Sequence, residues 1–137
     1  MNGERFLLDT HALIWWLTGD PRLPPGATEQ IADAESDVLV SAASVWEIAI
    51  KHRSGKLKEA DRFMHDAIAF LGREGFQALP ILHLHALLAG RLDTPHRDPF
   101  DRMLIAQAMA EGLTLISNET LFDTVRHEGR SVPRLWA

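Results

Sequence analysis

Five carboxylates stand where this chain could do chemistry: Asp9, Glu47, Asp98, Asp101 and Glu119. Asp9 ends the apolar run Arg5-Phe6-Leu7-Leu8, and Glu47 follows the run Asp37-Val38-Leu39-Val40-Ser41. Asp98 and Asp101 open an apolar-periodic segment, and Glu119 follows Leu113-Thr114-Leu115-Ile116-Ser117-Asn118. The chain has no cysteine, and its seven histidines show no zinc spacing such as HxxxH. His83 and His85 form only an isolated H-x-H, a helix-start feature rather than a ligand pair. Acids that converge without thiolates or an ordered histidine set make a hard, oxygen-rich site. Such a site suits Mg²⁺, or Mn²⁺ in its place, better than Zn²⁺.

Each acid also has an ordinary structural role open to it. Ser44-Val45-Trp46-Glu47 has the form of a capping box, in which Glu47 would only satisfy helix amides. Asp98 before Pro99 reads as an N-cap with proline at the first helical position, which puts Asp101 where the helix dipole favours an acid. Asn118 and Glu119 can serve as cap and first-turn acid. Asp9 is the hardest to explain this way, because it terminates a strand expected at the centre of a sheet. All these ordinary roles would have to coincide at the strand ends of one sheet, so the set as a whole favours a site.

The elements that must position these acids follow from hydropathy and breakers. Arg5 to Asp9 and Asp37 to Ser41 read as buried strands, with further strands over Phe76 to Leu79 and Leu113 to Ser117. Helices are expected over Thr10 to Leu17, Thr28 to Glu35, Ser44 to about Lys51, Asp61 to Leu71, His83 to Ala89, Pro99 to Glu111 and Glu119 to His127. Gly112 is the C-cap of the helix before it. Val132 to Trp136 reads as a last strand, confined to the sheet edge by Pro133. Strands alternating with helices imply right-handed crossovers and a mostly parallel sheet covered on both faces, a three-layer α/β/α sandwich. In such sheets ligands bind at the carboxyl ends of the strands, where the acids fall. With 137 residues, no repeat and no linker, one domain over 1–137 is expected.

Composition narrows the class. A 46% hydrophobic fraction supports a sizeable core, and a net charge of −5 argues against holding nucleic acid by bulk electrostatics. Any nucleic-acid chemistry would need the Lys and Arg gathered on one face, or the acids neutralised by metal. No apolar run approaches the roughly 18 residues of a membrane span, and Met1-Asn2-Gly3-Glu4-Arg5 lacks the pattern of a signal peptide. The expectation is a cytoplasmic protein with no membrane association. Lys51, His52, Arg53, Lys56 and Lys58 cluster behind Glu47, either as a phosphate clamp or as cations complementing a helix end. Arg97 and Arg102 flank two of the acids, to touch a substrate or to balance charge. Trp15 and Trp16 point about 100° apart on one helix, so both are hard to bury in a single core, and one indole is a candidate for an interface.

Four segments carry a family resemblance. Leu7-Leu8-Asp9-Thr10-His11-Ala12-Leu13-Ile14-Trp15 resembles the opening motif of PIN-domain toxins of the VapC type, and Ser41-Ala42-Ala43-Ser44-Val45-Trp46-Glu47-Ile48 their second. His96-Arg97-Asp98-Pro99-Phe100-Asp101-Arg102-Met103-Leu104-Ile105-Ala106-Gln107-Ala108 is similar to the third. Leu115-Ile116-Ser117-Asn118-Glu119 with Phe122-Asp123 resembles the fourth. The motifs run in family order from residue 7 to 123. The resemblance implies a PIN-like fold and hydrolysis of RNA phosphodiester bonds by a Mg²⁺-dependent endoribonuclease, whose action restrains translation and growth. It also implies a homodimer and a cognate VapB-like antitoxin.

By the same resemblance Asp9, Glu47 and Asp101 map onto metal-binding acids, and Asp98 onto an extra acid of this subgroup. Glu119 stands where the family usually has aspartate, with Asp123 a possible substitute and Asn118 beside it. Ser117 matches a hydroxyl that orients an acid. Lys51, Arg53, Arg97 and Arg102 are the candidate RNA contacts.

Two other classes bear comparison. A phosphatase of the haloacid-dehalogenase type needs an aspartate two residues after the first, where this chain has His11, and a receiver domain needs paired acids at the first strand's end, where only Asp9 stands. A degenerate PIN scaffold that binds RNA or protein without cutting is the remaining alternative, and the replacement at Glu119 is what favours it.

Overall fold

Period-two alternation in the central strand decides the layering. In β1 (Arg5–Leu8), Phe6 and Leu8 point to one face of the sheet and Leu7 to the other. The computed structural model describes residues 4–137, so the start at Met1–Gly3 lies outside the described residues. β1 is flanked by β2 (Asp37–Ser41) and β4 (Thr114–Ile116), with β3 (Gln77–Leu79) and β5 (Arg134–Leu135) at the edges, in the order β3-β2-β1-β4-β5. Every pairing is parallel, and Leu7 sits in register with Leu39 and Leu115. Those three leucines share one core with Leu104, Ile105, Ala108 and Met109 of α7 (Pro99–Glu111). Phe6, Leu8, Val38 and Val40 share the other with α1 (Thr10–Thr18), α2 (Pro25–Ala32) and α3 (Ala42–Arg53). The result is the expected α/β/α sandwich, with a sheet that is wholly parallel.

Boundaries differ from expectation for identifiable reasons. α2 begins at Pro25, whose ring presets the first turn, and ends at Ala32 because Asp33 turns the chain, its carboxylate accepting from the Glu35 amide at 2.9 Å. α3 starts at Ala42, capped by the Ser41 hydroxyl on the Ala43 amide. The capping box expected at Ser44 is therefore absent, since Ser44 is already inside the helix. The single helix expected over Asp61 to Leu71 is two, α4 (Asp61–His65) and α5 (Ala67–Arg73), broken at Asp66. A straight helix would separate Phe63 and Phe70 by about 10 Å of rise, whereas the break sets their rings edge to face at 6.0 Å.

The helix expected over Glu119 to His127 shortens to a 3-10 turn, Thr120–Thr124, which buries Phe122. Beyond it the backbone reverses through Glu128 and Gly129, both at positive φ. α6 (His83–Arg91) and α7 match expectation, and Gly112 caps α7 in the left-handed region. β5 lies at the edge, where the Pro133 carbonyl accepts from Leu115 without a donor being needed in return. Among the described residues no helix is long and apolar enough to cross a membrane.

Candidate active site

The carboxyl ends of β1, β2 and β4 open on one cleft of about 340 Å³, joined there by the first turn of α7. Asp9 leaves β1 still bonded to β4, its amide donating to the Ile116 carbonyl, and then caps α1 by accepting from the Ala12 amide at 2.7 Å. Ser117, wholly buried at the end of β4, lies behind Asp9, and its hydroxyl accepts from the Glu119 amide at 3.0 Å. Glu119 in turn caps the 3-10 turn through the Leu121 amide. α3 brings Glu47 inward, where Thr10 donates to one carboxylate oxygen at 2.6 Å and Lys51 pairs with the other at 2.8 Å. Asp98 caps α7 through the amides of Phe100 and Asp101, and Asp101 pairs with His96 at 2.8 Å.

All five candidate acids, Asp9, Glu47, Asp98, Asp101 and Glu119, therefore line the same cleft, with Asn118 and Lys51 beside them. The gathering has an electrostatic cost. Burial pushes Asp9 above the ordinary carboxylate range; hydrogen bonds from Ser117 and Ala12 and the charge of His11 oppose this, and the charge of Glu47 adds to it. Burial likewise pushes Asp101 up to about 6, with the His96 hydrogen bond opposing and the charges of Asp98 and Asp9 adding. Carboxylates that resist ionisation in a shared cleft gain most from a divalent cation, so the all-oxygen donor set fits Mg²⁺ by its chemistry. Among the described residues no three such groups are already drawn together around one point. Each acid instead has a partner within the protein: Lys51 for Glu47, His96 for Asp101, and capped amides for Asp9, Asp98 and Glu119.

The titration of Asp101 gives a stability test. Its folded value lies above the ordinary 3.8, so the linked stability is present below about pH 3.8 and lost as pH rises through about 6. Asp101→Asn, measured without metal, should melt close to wild type at pH 4 and above it at pH 7. A difference in melting temperature that stays flat across this window would exclude the buried-charge account.

Other expected residues lie elsewhere. Asp123 is half exposed and clasped by Arg134 at 2.7 and 2.9 Å, which holds its carboxyl below the usual range, and it does not line the cleft. It therefore stands apart from the five acids that line the cleft. Arg102 is no free cation: its guanidinium donates to the carbonyls of Ala89, Leu92, Thr94 and His96, so it clasps the loop before α7 instead of facing a substrate. Arg97 opens on a neighbouring depression with Leu121 and Thr124, and Arg53 is exposed at the end of α3.

Trp15 is buried and Trp16 half-buried, packed on Phe76 and donating to Glu74, so neither is the spare indole that the sequence suggested. The exposed one is Trp46, at 61%, edge-on to Phe100. Sequence reasoning also missed the role of His96, whose only signal was its place five residues before Asp101.

A three-layer α/β/α domain with a cleft of five acids at its strand ends is the class that fold and site define together. Within that class, the PIN domain model matches residues 6–128, and the chain belongs to the PIN domain family. Its fold is similar to that of VapBC2 from Rickettsia felis, solved bound to a DNA fragment from their promoter, at 17% identity over 96% of this chain and 98% of that one, with a TM-score of 0.68. It is similar also to FitAcB from Neisseria gonorrhoeae, at 20% identity over 84% and 88%, with a TM-score of 0.57. At such identities the likeness is one of fold. No curated protein sequence matches the chain significantly.

Proposed function

We propose that this chain is a Mg²⁺-dependent endoribonuclease and the toxin of a VapBC-type toxin–antitoxin pair, acting in the cytoplasm as one PIN domain over 1–137. The observation that carries the reading is the convergence of five acids at the strand ends of a PIN fold, with two of them pushed toward neutrality by burial. Asp9, Glu47, Asp98, Asp101 and Glu119 are the groups that would hold the cation. Bound there, Mg²⁺ (or Mn²⁺) would activate water and offset the charge that develops on a phosphodiester during hydrolysis.

The protein's own groups do the rest. Ser117 and the Ala12 amide keep Asp9 aimed from the end of β1. Thr10 fixes one oxygen of Glu47 and Lys51 pairs with the other, which puts the Lys51 ammonium at the cleft wall where a backbone phosphate would meet it. Arg97, in the neighbouring depression, and Arg53, exposed at the end of α3, are the further cations that RNA could reach. The amino ends of α1 and α7 also point their dipoles at the cleft, where anions are favoured.

A protein partner is part of the reading. Trp46 and Ile50 stand exposed together on α3, and an exposed indole is a common anchor at interfaces. The two similar structures are named for VapBC2 and FitAcB, which favours a VapB-like antitoxin, and a homodimer accords with the same surface.

The test is cleavage of RNA by the purified chain with Mg²⁺ and after chelation. Cutting that persists in EDTA sinks the metal reading. Glu119→Gln should slow cleavage only mildly, because one of its oxygens is already spent on the Leu121 amide. Asp123→Ala should change it little, since it gives up a half-exposed ion pair to Arg134 and removes none of the acids that line the cleft. A second reading, a scaffold that binds RNA without cutting, is favoured by the protein partners that already occupy Glu47 and Asp101. RNA bound but uncut at saturating Mg²⁺ would select it.

A further inference from the structure

The cleft is polar almost throughout, and its exception is informative. Around the acids its wall is made by Thr10, Lys51 and Asn118, and among the described residues only His11 and Trp15 bring rings to it. His11 is exposed in the first turn of α1, two residues after Asp9, with its ring 5.7 Å from that of Trp15 and tilted 35°. Trp15 cannot move to follow a ligand: it is buried, braced by the Trp136 ring at 5.7 Å and by the Arg22 guanidinium 4.7 Å from its centroid. An exposed imidazole resting on an immobilised indole is a platform, and it sits at the lip of the acid cluster.

The geometry points to a nucleobase-stacking subsite formed by His11 on Trp15, which takes an unpaired base adjoining the phosphate held at the acids. This rests on the nuclease reading and adds to it the surface that receives a base. A nucleotide whose phosphate lies among carboxylates and lysine must put its base somewhere, and among the described residues that line the cleft only His11 and Trp15 present a ring face. Stacking uses a face that every base has, so the subsite tolerates sequence. It does not tolerate pairing, because in an A-form duplex the bases are already stacked on one another and withdrawn from side chains. Helical RNA is therefore excluded unless a loop or bulge presents an unstacked base.

Binding decides this separately from cleavage. With Ca²⁺ replacing Mg²⁺, anisotropy of a labelled short single-stranded RNA should show His11→Ala binding about 5- to 100-fold more weakly than wild type. His11→Phe, which keeps a ring and removes the imidazole nitrogens, should bind close to wild type. An RNA of the same length with abasic positions should bind weakly and equally to wild type and His11→Ala. Undiminished binding by His11→Ala overturns the subsite, and so does His11→Phe as weak as Ala, which would assign His11 a role in charge or hydrogen bonding instead. Wild type that binds intact and abasic RNA alike also overturns it, while leaving the nuclease reading in place. Wild type that binds no RNA overturns that reading and the subsite with it.

Discussion

Asp9→Asn should cut RNA roughly 10²- to 10³-fold more slowly than wild type and yet melt at a higher temperature in the absence of metal. The two halves have one cause. Asp9 sits at the end of the central strand, almost fully buried, where burial opposes its ionisation. Its raised folded value means that the linked stability is present below the ordinary carboxylate value and lost as pH rises through the folded one. Above the ordinary carboxylate range the buried Asp9 therefore costs folding free energy that the neutral Asn does not. Asn keeps the side-chain oxygen that accepts from the Ala12 amide, so the cap on α1 survives. What Asn cannot supply is the anionic oxygen for a cation. Thermal melts in EDTA alongside cleavage in Mg²⁺ read both halves, and a variant that lost activity together with stability would show only that the cap had failed.

Arg102→Ala should be the most destabilising single change near the site. Three carbonyls of the segment between α6 and α7, and that of Ala89 in α6, depend on one guanidinium, at 2.8 to 3.4 Å. Charge-assisted bonds are worth about 1.5–3 kcal/mol each but do not add when they share a donor group. A loss of about 2–4 kcal/mol is expected, or roughly 6–16 °C in melting temperature. Arg102→Lys should recover little, because an ammonium cannot reach the carbonyls with a planar fork. The same loop carries His96 and Asp98, so amide exchange over residues 92–98 should quicken in step. If Arg102 instead contacted RNA, the variant would melt normally and its binding would show a shallower salt dependence.

The strand pattern and the acids were legible because each rests on a local signal. Three apolar runs ending in Asp9, Ser41 and Ser117 are enough to set the central strands, and the breakers beside them place the crossovers. Asp66 and the 3-10 turn after Glu119 were not legible, because nothing local marks them. Asp66 breaks a run whose apolar period continues across it, and the turn ends early to bury Phe122 and to meet the reversal at Glu128 and Gly129. In the site, carboxylates could be nominated from their strand ends, while their partners could not. Arg102 reads like any cation beside an acid, and only the path of the loop turns it toward carbonyls. Asp123 reads like a spare acid until β5 brings Arg134 against it from the sheet edge. Nothing local sets Trp46 apart from the other indoles, and only the packing of α3 leaves it exposed.

Asp9, Asp98 and Glu119 each begin the element that follows them, capping α1, α7 and the 3-10 turn with the same side chains that face the cleft. This double duty constrains how such a protein can decay. A descendant relieved of its chemistry is free to lose the charge at these positions but not the oxygen, because an uncapped helix start costs about 1 kcal/mol and each domain has few to spare. Drift should therefore run to Asn or Ser at positions 9 and 98, and seldom to Ala or Val. An inactive relative would keep the outline of the site in neutral form, with its helices begun by the amides and hydroxyls that succeeded the acids.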